Sequence, residues 1–361
     1  CFDLASKDPE IMGHLQAQTE NIEKMKFNLK QFVLDENISE LKSIFEVLPM
    51  DIKFTNELFD EKITPFKFAF LSKKKLVTEW LLKEDKTLGD FSQPNETVLH
   101  ICAKQGDLDL VREAVEKYNA NILARNSQGE QPIHVAIKES TKEKDLKKHL
   151  DVVRYLISKE ADLYSEDNEG MTPLLLAIRT HNIDMIECIL EQPYDLNRPT
   201  KKLMTPLYLA SREGNSKIIA FLINKGADVN KLATVERRTP LHAAIEGHHY
   251  EVVMQLLAFG ADIGIADKEQ VFPIHLAAKA NSKEIISIFY SKDPNCISVC
   301  DKEGRTPLHY AALYKNSNAL SCLLELTANP DVPTQKSDEQ APDEDEEGED
   351  EQLAGGVTPL H

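Results

Sequence analysis

A short motif, Thr-Pro-Leu-His, recurs along this chain at a nearly constant interval, and this periodicity constrains the fold more than any other feature. Identical copies begin at Thr239, Thr306 and Thr358, and looser copies begin at Gln131 and Phe272. The second residue of the nine copies falls at positions 65, 98, 132, 173, 206, 240, 273, 307 and 359, so the steps are 33, 34, 41, 33, 34, 33, 34 and 52. Such a period is the signature of a repeat protein, in which each repeat buries its apolar face against its neighbours.

Each period has the same internal order of helix and turn signals. Threonine caps the start of a helix, and proline fits its first turn, where a missing N–H costs nothing. A short helix rich in alanine follows, as at Ala243 and Ala244, and a second helix then carries aliphatic residues at helical spacing. Glycine-type turns such as Gly226 to Asn230 end the second helix. The sequence therefore predicts helix–turn–helix units joined by polar hairpins.

This pattern resembles the ankyrin repeat family over roughly residues 61–361. The resemblance implies an all-α solenoid, and it implies that the fourth motif residue bonds to the motif threonine and the neighbouring backbone. Six of the eleven histidines occupy that fourth position: His100, His134, His242, His275, His309 and His361. Lys67, Leu175 and Tyr208 replace the histidine in sister repeats, which argues against a catalytic or ligand role.

The motif positions also divide the chain. Residues 1–26 are expected to form a helical lead-in, and residues 27–60 a degenerate repeat that caps the stack with helices at 29–33 and 38–48. Residues 61–330 hold the ankyrin repeats. About eight extra residues are inserted near 139–151, where they lengthen either the inter-helix turn or the second helix. They serve either as a solvated extension or as a docking element.

Acidity is concentrated near the end of the chain. The formal net charge is −18, but ten carboxylates lie between Ser337 and Gln352, and the rest of the chain carries only −8. The composition of this acidic insertion, residues 331–355, predicts disorder. It is either a solvated spacer or a segment that folds across basic residues and competes with a partner. Residues 356–361 begin a further repeat, so the chain is expected to be part of a longer protein.

No signature of catalysis or metal binding stands out. The chain has no phosphate loop, nucleophile elbow or H-E-x-x-H motif, and its six cysteines form no C-x-x-C pair. Such cysteine usage indicates buried thiols in a reducing compartment. His248 and His249 lack a third ligand nearby in the sequence. The sequence thus predicts no enzymatic activity and no cofactor, and no apolar run approaches the ~20 residues of a membrane span. The strong negative charge argues against nucleic acid as a partner.

In the ankyrin family, partners bind along the concave face, which is made of hairpin tips and exposed positions of the first helix. Aligning the repeats of this chain with the family pattern gives seven helix positions that are expected to be exposed: Lys104, Lys138, Arg179, Arg212, Glu246, Lys279 and Leu313. Five of the first six are basic, which predicts a positive stripe that attracts an acidic segment of a partner protein. Alternatively, arginine and lysine stand there only as good helix formers. Candidates at the hairpin tips are Asn126, Gln128, Asp167, Asn168, Lys201, Lys202, Glu236, Arg237, Asp267, Lys268, Asp301 and Lys302.

The predicted function is therefore a protein–protein interaction module, which would be cytoplasmic. One alternative is the ankyrin region of a large latrotoxin-like toxin or a secreted bacterial effector, suggested by the helical lead-in and by the incomplete last repeat. The other alternative is the cytoplasmic ankyrin region of an ion channel.

Overall fold

The computed structural model describes four stretches of the chain: residues 30–47, 65–84, 97–140 and 143–326. In these stretches the chain is helical and contains no strand, apart from one isolated antiparallel bridge between Ala233 and Arg238. The all-α fold predicted from the sequence is confirmed. The expected lead-in at 1–26, the acidic insertion at 331–355 and the repeat start at 356–361 lie outside the described residues.

The helices fall into two compact units, and the first unit contains residues 1–139 and 144–161. Residues 30–34 are helical, and they correspond with α1 to the two helices expected in the degenerate first repeat. The first helices of two successive repeats, α4 and α6, pack side by side. The helices of this unit are α1 (Ile38–Val47), α2 (Pro65–Leu71), α3 (Lys75–Glu84), α4 (Val98–Gln105), α5 (Leu108–Glu116), α6 (Pro132–Glu139) and α7 (Glu143–Ser158).

The second unit contains residues 140–143 and 162–361. Its helices are α8 (Pro173–Arg179), α9 (Ile183–Leu190), α10 (Pro206–Glu213), α11 (Ser216–Asn224), α12 (Pro240–Glu246), α13 (Tyr250–Ala258), α14 (Pro273–Lys279), α15 (Lys283–Lys292), α16 (Pro307–Leu313) and α17 (Ser317–Glu325). A short 3₁₀ helix, Pro294–Ser298, follows α15. Within this unit each first helix packs against the first helix of the next repeat, from α8 through to α16.

The motif threonines begin the first helices as the sequence predicts. Thr97, Thr172, Thr205 and Thr239 each precede the first helical residue with an extended backbone. Each side chain accepts a hydrogen bond from the backbone N–H of the fourth motif residue. Such a cap contributes about 1 kcal/mol to helix stability. The recurrence of the motif therefore fixes where each repeat starts.

Small side chains line the seam between neighbouring first helices. One alanine recurs two residues after the fourth motif residue, and it is fully buried in each of six repeats: Ala136, Ala177, Ala210, Ala244, Ala277 and Ala311. A larger side chain at this position would overfill a close-packed interior and strain its neighbours. The second helices supply the bulky part of the core, and the predicted aliphatic residues Val252, Val253, Leu256 and Leu257 are all buried.

The insertion near 139–151 lengthens the second helix of its repeat. α7 has 16 residues, whereas the other second helices have 8 to 10. His149 on α7 is buried, and its Nε2 donates to the backbone oxygen of Lys104 at 3.0 Å. The added residues therefore extend a helix that packs against the preceding repeat.

Candidate partner-binding surface

The seven helix positions singled out from the sequence all lie in the last turn of a first helix, and all seven side chains are exposed. We call them the row positions. Lys104 and Lys138 belong to the first unit, on α4 and α6. The second unit contributes Arg179, Arg212, Glu246, Lys279 and Leu313.

Side chains of the following repeat hold several of these helix ends in place. The Nε2 of His249 donates to the backbone oxygen of Arg212 at 2.9 Å, and Asn316 donates to that of Lys279 at 2.7 Å. His149 caps Lys104 in the same way. Carbonyl groups at a helix end lack partners within the helix, so these bonds stabilise the turn that carries each row position. A basic side chain there also complements the negative end of the helix dipole.

Most charged row positions are paired with opposite charges on the same surface. The pairs are Lys138–Glu130 at 2.9 Å, Arg179–Glu169 at 3.1 Å, Arg212–Glu213 at 3.5 Å and Glu246–Arg238 at 2.6 Å. The Lys279 ammonium lies 5.0 Å from the centre of the Tyr314 ring. The Lys104 ammonium has no ion-pair partner among the described residues. In each unit, neighbouring carboxylates therefore offset part of the positive charge that the row positions carry.

A cleft of about 360 Å³ in the first unit brings four of the predicted residues together. Lys104 and Lys138 reach it from α4 and α6, and Asn126 and Gln128 reach it from the hairpin between α5 and α6. Ser127, Glu130, Val135 and Glu139 complete the lining. Side chains far apart in the sequence thus form one polar site.

Glu130 organises this cleft. Its carboxylate accepts hydrogen bonds from Lys138 at 2.9 Å and from Asn126 at 2.8 Å, and its side chain is almost fully buried. Burial raises the pKa of this carboxyl, but the hydrogen bonds from Asn126 and Lys138 outweigh it and leave the pKa below its ordinary value. The carboxylate therefore stays charged and orients both neighbours.

Four of the predicted tip residues stabilise their own hairpins. The side-chain oxygens of Asn126, Asp167, Asp267 and Asp301 each accept from the N–H groups two and four residues later, at 2.8–3.0 Å. Asp267 and Asp301 are also buried, so these two carboxylates stabilise the hairpin from inside the fold. Short polar side chains commonly shape turns in this way.

The remaining tip candidates lie on the surface. Lys202 donates to the backbone oxygen of Glu169, and Lys302 pairs with Glu269 at 3.4 Å. The others are also exposed: Gln128, Asn168, Lys201, Glu236, Arg237 and Lys268.

The structure also contains a pocket that sequence reasoning missed. It measures about 280 Å³ and lies between two successive hairpins of the second unit. Tyr164, Tyr194 and Arg198 line it, together with the predicted Lys201. The signal in the sequence was the appearance of two tyrosines at turn positions where sister repeats have alanine or asparagine. We call it the hairpin pocket.

Motif histidines in the part of the chain that the structure describes have the structural role that the resemblance implied. In the first unit, His100 Nδ1 lies 2.7 Å from the Thr97 hydroxyl, and its Nε2 lies 2.8 Å from the backbone oxygen of Glu130 in the next repeat. In the second unit, burial lowers the pKa of His242 and of His275 to about 4. These rings are therefore neutral at pH 7. Among the described residues, no group of three or more His, Cys, Asp or Glu side chains is placed to hold a metal ion.

A family model described as "Ankyrin repeats (3 copies)" matches the chain at residues 66–167, 144–200, 192–267 and 241–334. Mouse Rabankyrin-5 is 36% identical over 88 residues, which is 24% of this chain. Transient receptor potential cation channel subfamily A member 1 of Drosophila melanogaster is 36% identical over 95 residues, or 26% of this chain. Alpha-latrocrustotoxin-Lt1a of Latrodectus tredecimguttatus is 29% identical over 122 residues, or 32% of this chain. Each match spans 8% of the relative's own length.

The fold is also similar to that of a solved structure. The ankyrin repeat domain of Bcl-3 superposes with a TM-score of 0.55 at 21% sequence identity, covering 64% of this chain and the whole of that domain. Among the helices of the described stretches, none is both long enough and apolar enough to cross a membrane.

Proposed function

The chain belongs to the ankyrin repeat family, and from that premise we propose that it is a protein–protein interaction module without enzymatic activity. Partners bind at the row positions and the adjoining hairpins. The observation that carries the proposal is the cleft of the first unit, where Lys104, Lys138, Asn126 and Gln128 meet. Rigid helices and hydrogen-bonded hairpins hold these side chains before a partner arrives, which lowers the entropy lost on binding.

The charge of the cleft favours a partner that brings carboxylates. The Lys104 ammonium is exposed and lacks an ion-pair partner among the described residues, while the exposed Lys138 ammonium is paired with Glu130. A carboxylate on the partner can form ion pairs with the ammonium groups of Lys104 and Lys138 without displacing Glu130. Exposed pairs of this kind are screened by salt, so association should weaken as ionic strength rises.

The test compares substitutions in the cleft with matched substitutions on second helices. The variant Lys104→Gln/Lys138→Gln removes two positive charges from the cleft. The control Lys147→Gln/Lys217→Gln removes two from exposed positions on α7 and α11. Partners captured by the wild-type chain are identified, purified and titrated by calorimetry against each variant. We expect the cleft variant to bind roughly tenfold more weakly, because charge-assisted bonds are lost.

The control should bind as the wild type does, and thermal melts should show that both variants fold. Equal affinity of the cleft variant and the control for every partner would exclude the cleft as the binding site.

We also propose that the protein is cytoplasmic. The support is chemical: Cys300 is exposed and free, and exposed thiols persist in reducing compartments. The alternatives each have a relative among the matches, since one match is a latrotoxin and another is a channel subunit. Dye release from liposomes by the full-length product would support the toxin hypothesis. Co-purification with a membrane fraction that resists extraction with salt would support the channel hypothesis.

A further inference from the structure

The hairpin pocket departs from the repeat pattern at the turn that follows α9. Tyr194 stands where the corresponding turns of other repeats have the buried alanines Ala161, Ala227 and Ala261. The turn forms with alanine in those repeats, so the phenol ring adds a surface that the turn itself does not require. Departures of this kind from a local rule concentrate at functional sites.

A second departure lies beside the first. In the following repeat Asn197 links two turns, because its Oδ1 accepts from the Asp228 N–H at 2.8 Å and its Nδ2 donates to the Gly226 oxygen at 3.2 Å. Tyr164 occupies the equivalent position one repeat earlier. Its hydroxyl keeps the first of these bonds, since it accepts from the Asp195 N–H at 2.7 Å. The hydrogen bond fixes the ring while the ring faces remain available for stacking.

The two tyrosines and an arginine form a three-layered stack. The Tyr164 and Tyr194 rings lie 4.5 Å apart with an interplanar angle of 15°. The Arg198 guanidinium carbon lies 4.5 Å from the centre of the Tyr164 ring. Burial raises the pKa of Tyr194 to about 12, so its hydroxyl stays neutral. Stacking restrains the guanidinium but leaves its N–H groups available to donate hydrogen bonds. Among the described residues the Arg198 side chain has no acidic partner.

The charges and the apolar residues around this stack lie on different parts of the lining. Lys201 is exposed, and its ammonium has no acceptor among the described residues. Glu166 is the one carboxylate in the described lining, and it accepts from the Lys201 N–H at 2.9 Å. Met204 is half-buried and contributes apolar surface, whereas Leu175 is buried behind the lining. Two unpaired cations therefore stand beside an apolar floor.

We propose that the hairpin pocket binds a peptide segment in which an oxyanion, either a carboxylate or a phosphate, stands next to an apolar side chain. The oxyanion accepts from the N–H groups of Arg198 and from Lys201, since guanidinium groups match the geometry of both anions. The apolar side chain covers Met204. This inference rests on the proposed function only in that the ligand is part of another protein.

The test uses an array of synthetic peptides in which Glu, phosphoserine or Gln precedes each type of apolar residue. The labelled full chain should bind Glu or phosphoserine peptides in preference to their Gln counterparts, and the better of the two identifies the anion. Arg198→Gln should reduce the affinity for the selected peptide roughly tenfold. In NMR titrations with that peptide, amide shifts should concentrate between Asp195 and Lys201.

Two further variants test the hairpin pocket with substitutions that are not expected to disturb folding. Tyr194→Ala and Tyr164→Asn each restore the residue of sister repeats, so the turns remain compatible with the fold, and both should weaken binding. Lys217→Gln on α11 is the matched control for charge and should have no effect. Equal binding of Gln and acidic peptides, or unchanged affinity in Arg198→Gln, would overturn the proposal.

These experiments can exclude the cleft and the hairpin pocket as binding sites independently of each other. Lys104→Gln/Lys138→Gln should leave binding of the selected peptide unchanged. A result in which the pocket variants have no effect while the cleft variant loses its partner excludes the hairpin pocket alone. The converse result excludes the cleft alone.

Discussion

At the scale of single residues, the motif histidine connects two repeats. His242 accepts from the Thr239 N–H through Nδ1 at 3.2 Å, and its Nε2 donates to the backbone oxygen of Val271 in the next repeat at 3.1 Å. The side chain is fully buried, so the ring cannot be hydrated if it takes up a proton. Nearby charges have smaller effects than burial: Asp267 raises the pKa, whereas Arg238 and His275 lower it.

Acidification should therefore destabilise the second unit. The pKa of His242 and of His275 is lowered to about 4, whereas an unfolded histidine titrates near 6.5. Below about pH 6.5 the unfolded chain takes up protons that the folded chain excludes, so stability present above that pH is lost as the pH falls. At pH 5 the expected loss is about 2 kcal/mol per histidine. Urea titrations at pH 7 and pH 5 measure it.

His242→Leu is the control for this prediction, because Leu175 occupies the same motif position in another repeat. The variant should retain about half of the pH-dependent loss attributed to the two histidines. An identical pH dependence in the variant and the wild type would show that His242 is not the titrating group.

A second prediction at this scale concerns Gly214, which has a φ of 77° at the end of α10. A methyl group there would overlap the His249 imidazole, whereas at Gly260, with a φ of 88°, it would meet nothing within 4 Å. Gly260→Ala should cost about 1 kcal/mol, from backbone strain alone. Gly214→Ala should cost roughly twice as much, because steric overlap is added. Equal destabilisation in thermal melts would show that His249 moves aside without cost.

At the scale of structural elements, Arg238 connects a hairpin to its neighbours. It pairs with Glu246 at the end of α12 at 2.6 Å, and with Asp267 of the next hairpin at 3.3 Å. The Asp267 side chain is only 2% exposed. A buried carboxylate that loses its partner destabilises a fold strongly, whereas an exposed pair contributes little.

Arg238→Ala should therefore lower the free energy of unfolding by about 2 kcal/mol, because Asp267 loses its cation. Arg237 supplies the matched control, since it is adjacent, exposed and free of any described ion pair. Arg237→Ala should change stability by less than about 0.5 kcal/mol. Chemical denaturation of both variants measures the difference, and equal effects would mean that Asp267 does not depend on Arg238.

The elements were largely predictable from the sequence, and the contacts between them were not. The motif threonines placed the start of the first helices, because the cap, the proline and the fourth residue act within one turn. The sequence did not show whether the insertion near 139–151 lengthens the turn or the second helix, since a charged segment suits either element. The pairing of Arg238 with Asp267 and the stacking of Tyr164 on Tyr194 depend on neighbouring hairpins meeting in space. A residue-by-residue register does not contain that information.

At the scale of the whole molecule, the chain forms two compact units, and the single tryptophan, Trp80, lies in the first. Stability in repeat proteins is approximately a sum of local terms, so distant repeats need not unfold together. Arg238→Ala lies in the second unit. It should lower the urea midpoint measured by circular dichroism and leave the midpoint measured by Trp80 fluorescence unchanged. Equal shifts of both midpoints would show that the units unfold as one.

Hydrogen exchange of the full chain with and without a captured partner tests the central claim most directly. Binding at the row positions and hairpins should slow exchange in residues 126–139 of the first unit. It should leave the second helices α5 and α7 unchanged. Protection confined to α5 and α7, with no change in residues 126–139, would contradict the proposed binding surface.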